Sequence, residues 1–134
     1  MTDRDQLMAA ARAVRQRAYA PYSTYLVGCA ISAGGQIYLG ANVENASYGL
    51  SICAERVACA TAAIDGVRAI DMVAVMTATS PPAAPCGMCL QTLREFCVDP
   101  DQLIVVVGNA LGEIREFTLS QLIPQAFHKA LLTP

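Results

Sequence analysis

The sequence has no tryptophan, one histidine and little charge: 15% of its 134 residues are Asp, Glu, Lys or Arg, against 54% hydrophobic. Scarce charge beside abundant apolar residues excludes a disordered chain, which needs the opposite balance. Arg and Lys never cluster and the formal net charge is −2. The basic stripe with which a nucleic-acid binder meets phosphate is therefore missing, and no nucleic-acid partner is expected. No apolar stretch approaches the roughly 20 residues of a membrane-spanning helix, and the opening segment MTDRDQLMAA lacks the apolar run of a signal peptide. These absences predict a cytoplasmic protein with no membrane partner and a small, neutral ligand.

What is present is cysteine, six residues of it. In a reducing compartment such residues serve as metal ligands or core and not as a disulfide framework. The length suits one domain spanning 1–134. So apolar a composition in so short a chain further predicts that some apolar surface is buried between subunits.

The pattern along the chain alternates between helix and strand. Thr2 with Asp5 can start a helix whose apolar face is Leu7, Ala10, Ala11, Val14 and Ala18, ended by Pro21. Tyr25 to Ile31 and Gln36 to Gly40 read as strands of a hairpin turning at Gly34-Gly35. A polar loop from Asn42 to Ser51 leads to the helix-forming run after Cys53, which stops at Gly66. A strand over Ile70 to Met76, a proline-rich loop over Ala78 to Pro85 and a helix from Cys86 to Phe96 follow. Strands over Leu103 to Val107 and Ile114 to Thr118 precede a tail of helical pieces broken by Pro124. The order predicts an α/β protein: a three-layer α/β/α sandwich around a sheet of about five strands.

The chemistry lies in Cys53-Ala54-Glu55 and Pro85-Cys86-Gly87-Met88-Cys89. Catalytic zinc takes three protein ligands and leaves one position open. Cys86 and Cys89, three residues apart, can aim both thiolates one way from the first turn of a helix. Residues 53 and 55 would point roughly 200° apart inside a regular helix. Both reach one site only if Cys53 is the cap, where the backbone is not yet helical. Glu55 then stands beside the metal as a proton carrier. Two helix N-termini converging on one ion stabilise thiolates. Three thiolates on one divalent ion leave a net negative charge, which predicts a compensating cation, and Arg56 is the candidate. Cys29, Cys59 and Cys97 lack partner spacing and read as core. His128 reads as a surface residue, since a histidine-ligated version of the site would need it at position 53.

Together with Ala20-Pro21-Tyr22-Ser23, Val27-Gly28, Asn42-Val43-Glu44-Asn45, Arg56 and Leu122-Ile123-Pro124, these motifs resemble the cytidine deaminase family. The likeness is to its small homotetrameric branch with three cysteine ligands, and it covers nearly the whole chain. The resemblance implies a mixed five-stranded sheet, one zinc ion per subunit on Cys53, Cys86 and Cys89, and Glu55 as the catalytic proton carrier. It implies hydrolysis of free cytidine and 2′-deoxycytidine to the uracil nucleosides and ammonia, as in pyrimidine salvage. Asn42 and Glu44 resemble the ribose-binding pair, Tyr25 the aromatic residue against the pyrimidine ring, and Ala54 the residue whose backbone N–H meets the base carbonyl. Tyr48 and Phe127 resemble residues that complete a neighbouring subunit's site in a homotetramer.

Two positions depart from the family's usual Cys-Gly-Ala-Cys-Arg-Gln run: Met88 adds bulk near the metal turn, and Leu90 removes a cation. The competing readings are a deaminase of a modified or antibiotic nucleoside, a nucleic-acid base deaminase, and a non-catalytic zinc module. The last needs four ligands, and only three cysteines have suitable spacing; the second needs a basic groove.

Overall fold

The computed structural model describes residues 3–132. A helix α1 (Arg4–Arg15) opens the chain, and strands β1 (Gly28–Ala33) and β2 (Gln36–Ala41) follow. Helix α2 (Ala54–Ile64), strand β3 (Met72–Thr77) and helix α3 (Gly87–Glu95) form the middle. Strands β4 (Ile104–Asn109) and β5 (Ile114–Thr118) and the short α4 (Leu119–Leu122) complete the order. The five strands form one sheet in the order β2-β1-β3-β4-β5. It is mixed: β3 and β4 run parallel, and the other neighbouring pairs are antiparallel.

Period-two alternation decides the layers. Cys29 and Ile31 of β1, Val73 and Val75 of β3, and Val105 and Val107 of β4 face the side covered by α2 and α3. Ala30, Ala74, Met76 and Val106 face the opposite side, where Leu7, Met8 and Ala11 of α1 cover them. The central strands are thus buried on both faces, and each fully buried Val or Ile contributes about 1.5–3 kcal/mol of apolar transfer. The expected three-layer α/β/α sandwich is the observed one.

Several boundaries differ from the sequence reading for identifiable reasons. Thr2 lies outside the described residues, and Asp3 caps α1 by accepting from the Gln6 N–H at 2.7 Å. The helix ends at Arg15, so Ala18 falls past its apolar face, in the turn that follows. Strand β1 begins at Gly28 and not at Tyr25, because the Asn42 side chain takes the backbone there: its Oδ1 accepts from Val27 N and its Nδ2 donates to Tyr25 O, both at 2.8 Å. Ile70 precedes β3, and its N–H goes to Phe96 O. Gly34 and Gly35 have φ of +58° and +81°, the double left-handed turn that the Gly-Gly pair predicts.

Candidate metal centre

Helices α2 and α3 both start at the end of the sheet where the parallel strands β3 and β4 finish, the usual place for a ligand crevice in α/β folds. Cys53 is the N-cap of α2, with φ −70° and ψ 153°, and Cys86 is the N-cap of α3, with φ −70° and ψ 167°. Both are extended residues just outside their helices: for Cys53 the Cys53–Glu55 spacing requires it, whereas Cys86 stands one residue ahead of the helix expected to begin with it. The sulfurs of Cys53, Cys86 and Cys89 all lie within 4.8 Å of one another, and those of Cys86 and Cys89 are 3.6 Å apart. Tetrahedral zinc with Zn–S bonds of about 2.3 Å separates its sulfurs by about 3.8 Å. The donor set and its spacing therefore fit zinc.

Electrostatics around the sulfurs favour thiolate at Cys53. Cys89 donates to the Cys53 sulfur, and with the Arg56 guanidinium nearby this brings the Cys53 pKa down to about 5. The same hydrogen bond holds the Cys89 thiol up. Arg56 Nη2 lies 3.1 Å from Ser51 O and 3.9 Å from Cys53 Sγ. The predicted compensating cation thus sits against the Cys53 sulfur, fixed there by a loop carbonyl. Its Nε is buried with no acceptor among the described residues.

Glu55 is 5% exposed, and burial pushes its carboxyl up to about 7. It lines a cavity of about 240 Å³ with Tyr25, Val27, Asn42, Cys53, Ala54, Val75, Thr77, Ala83, Ala84 and Cys86. Six of the expected substrate, proton-handling and metal-ligand positions thereby meet in one space: Tyr25, Asn42, Cys53, Ala54, Glu55 and Cys86. Ala54 occupies the first helical position, so its N–H has no intrahelical acceptor and is free for a ligand.

Helix α2 reaches this place by lying directly on β2. A Cβ at Gly40 would stand 2.4 Å from both Ala54 O and Ala58 N. Only a glycine lets the first turn of α2, with Glu55 on it, approach so closely. Sequence reading passed over Gly40, because a close backbone approach leaves no mark on hydrophobic period.

The remaining expected contacts are placed differently. Glu44 lines a neighbouring cavity of about 280 Å³ with Tyr22, Ser23, Tyr48 and Ser51. Its carboxylate accepts from Tyr22 N at 3.0 Å, from Ser23 N at 3.1 Å and from the Ser23 hydroxyl. These donors, the hydroxyl foremost, hold its pKa below the usual carboxylate value. Asn42 spends one donor and one lone pair on the loop and keeps one of each. Tyr48 and Phe127 are 74% and 55% exposed, and neither borders the cavity that holds Glu55. Leu90 is buried in the apolar cluster between α2, α3 and the sheet, while Met88 is 63% exposed and points away from the core. Cys29, Cys59 and Cys97 are core residues, as expected. His128 is half-buried against the C-terminal segment, more enclosed than the surface position expected for it.

Comparison with known proteins supplies the context. Residues 1–106 match the family described as the cytidine and deoxycytidylate deaminase zinc-binding region. A cytidine deaminase of Sporosarcina psychrophila is 42% identical over 128 residues, covering 95% of this chain and 93% of that protein. One of Halalkalibacterium halodurans is 44% identical over 126 residues, covering 93% and 94%. The crystal structure of cytidine deaminase from Burkholderia pseudomallei superimposes with a TM-score of 0.89 at 43% identity, over 94% of this chain and 100% of that one. The Mycobacterium tuberculosis enzyme does so with a TM-score of 0.80 at 31% identity, over 95% and 98%.

Proposed function

The chain belongs to the cytidine and deoxycytidylate deaminase zinc-binding family, and from that premise we propose that Cys53, Cys86, Cys89 and Glu55 form the centre of a hydrolase for free cytidine and 2′-deoxycytidine. Relatives matching almost the whole length of the chain are cytidine deaminases, and the family it belongs to is described by its zinc-binding region. One observation carries the assignment of roles: three sulfurs lie within 4.8 Å of one another, and two of them, those of Cys53 and Cys86, belong to residues lining the same cavity as a buried carboxyl.

Cys53, Cys86 and Cys89 would hold zinc, which when bound supplies a Lewis acid that makes water nucleophilic near neutral pH. Every proton movement falls to Glu55. Its carboxylate takes a proton from the attacking water and delivers it to ring N3 as the oxygen adds to C4. A second proton, from the hydroxyl now on C4, passes through the same carboxylate to the exocyclic nitrogen. Ammonia leaves and the C4 carbonyl of the uracil nucleoside remains. A carboxylate shuttle of this kind contributes about 10²–10⁴-fold in rate. The free N–H of Ala54 donates to the base carbonyl, and Tyr25 covers one face of the ring. Asn42 and Glu44 bind the ribose hydroxyls, which requires the sugar to share or displace the Ser23 hydroxyl on Glu44.

The working unit in this reading is a homotetramer of single-domain chains, with Tyr48 and Phe127 reaching a neighbour's cavity. Support comes from an exposed apolar face. Tyr19, Val43 and Ile52 are linked by isolated bridges and stand exposed with Tyr22, Tyr48 and Leu50, the kind of patch that marks a protein interface. The reading also makes it a cytoplasmic enzyme of pyrimidine salvage. Six unpaired cysteines and a thiolate site are suited to a reducing compartment.

The test is direct. Purified protein should consume cytidine and deoxycytidine, followed by loss of ultraviolet absorbance, and a zinc chelator should stop it. Failure to consume either nucleoside with zinc bound would overturn the reading.

A further inference from the structure

Parallel strands β3 and β4 end side by side, with Thr77 paired to Asn109. Thr77 faces the substrate cavity. Beyond it the chain makes the loop 78–85, places Ala83 and Ala84 on the cavity wall and delivers Cys86 to the sulfur cluster. The loop is rich in proline and alanine, so it offers few side chains with which to fix its own path. Something outside it must set where that wall stands.

Asn109 meets that need. It is 1% exposed, and its amide is used in both directions. Oδ1 accepts from Leu111 N at 3.0 Å and Glu113 N at 3.1 Å, shaping the β4–β5 turn. Nδ2 donates to Thr79 O at 2.9 Å and to Glu113 Oε1 at 2.9 Å. Glu113 Oε1 also accepts from the Ser80 hydroxyl at 2.5 Å. Two successive loop residues, Thr79 and Ser80, are thus tied to one hairpin turn that itself touches neither the cavity nor the sulfurs. Asn109 and Glu113 have no part in binding or proton transfer as described above.

We propose that Asn109, assisted by Glu113, is a positioning residue for the reaction: it sets the wall that the loop 78–85 presents to the nucleoside. The proposal rests on the deaminase reading, since it concerns that cavity. A buried amide whose partners all lie on the hairpin or the loop transmits a one-ångström error in the hairpin to the wall, and displacements of about 1 Å can cost about 10²-fold in rate.

The substitution Asn109→Asp separates the two halves of the residue. A carboxylate still accepts from Leu111 N and Glu113 N, so the turn is kept. It cannot donate to Thr79 O, and it repels Glu113. Because the buried charge could prevent folding, Glu113→Ala serves as a second cut, made at the exposed end of the tether, with Glu113→Gln as its conservative counterpart. Steady-state kinetics on cytidine, zinc per chain and thermal midpoint are measured for all four proteins. The expected result is a KM raised at least fivefold in Asn109→Asp and Glu113→Ala at one zinc per chain, with Glu113→Gln returning to within twofold of the parent. A residue that only stabilises the hairpin would lower the thermal midpoint and leave KM and kcat per folded chain within twofold, and that outcome overturns the proposal. If Asn109→Asp does not fold, the same comparison between Glu113→Ala and Glu113→Gln decides it. A parent protein inactive on cytidine would instead refute the deaminase reading.

Discussion

Replacing Gly40 by alanine should separate the cost of crowding the sheet from the cost of moving the helix that carries Glu55. The new Cβ would stand 2.4 Å from Ala54 O and from Ala58 N and 2.9 Å from Ala58 Cα, where ordinary contact begins at 3.4 Å. All three atoms are backbone, so no side chain can swing aside, and the first turn of α2 must retreat by about 1 Å. Overpacking of this kind costs about 1–3 kcal/mol. At about 4 °C per kcal/mol for a chain of this size, the thermal midpoint should fall by about 4–12 °C. The first turn carries Ala54 and Glu55, so kcat/KM for cytidine should fall about 100-fold in the fraction that remains folded. Gly28→Ala is the matched control. There the added Cβ would meet Ala11 O at 2.1 Å and Arg15 N at 2.7 Å, a comparable overlap against α1, which carries no residue of the site. It should destabilise as much or more and cost far less activity per folded chain. Equal kinetic losses in the two variants, or a Gly40→Ala enzyme within twofold of the parent, would refute the link between this close approach and the position of Glu55.

Two further substitutions test the centre itself. Glu55→Gln preserves size and hydrogen-bonding capacity but cannot carry the proton. It should keep its zinc and its thermal midpoint while turnover falls by about 10²–10⁴-fold, and substantial residual rate would refute the shuttle. Arg56→Ala removes the guanidinium beside Cys53 Sγ. Zinc retention under chelator challenge and activity should both drop by roughly 10–100-fold, and an unchanged metal content with an unchanged rate would refute its role.

The metal centre was legible because its chemistry constrains sequence spacing. A carboxylate two residues after a cysteine is compatible with one site only when that cysteine, Cys53, is a cap, which it is; two cysteines three residues apart suit the start of a helix, and Cys86 caps the one that carries Cys89. The layers were legible for a similar reason, since strands buried on both faces, such as β4, read as unbroken apolar runs. What escaped was side-chain traffic with backbone. Asn42 matches a ribose-binding pattern, yet it also holds Tyr25 and Val27 out of β1, which no periodicity signals. Glu44 matches the same ribose-binding pattern, while in the fold three donors from Tyr22 and Ser23 already occupy it. Gly40 and Asn109 were missed for the same reason. Their importance comes from what they touch across the sheet and not from their neighbours in the chain.

The two capping cysteines have one more consequence. Cys53 and Cys86 are about 33 residues apart, and the segment between them contains α2, β3 and the loop 78–85. An ion held by both ends works as a cross-link, and a closed loop of that length restricts the unfolded chain by about 3–4 kcal/mol in the chain-entropy description. Metal that binds the folded form also stabilises it by mass action, by about 2.7 kcal/mol at a hundred times the dissociation constant. The same ion that serves the chemistry therefore ties the population of folded enzyme to the free zinc concentration around it. Zinc supply becomes a determinant of how much protein there is, as well as of how fast it works.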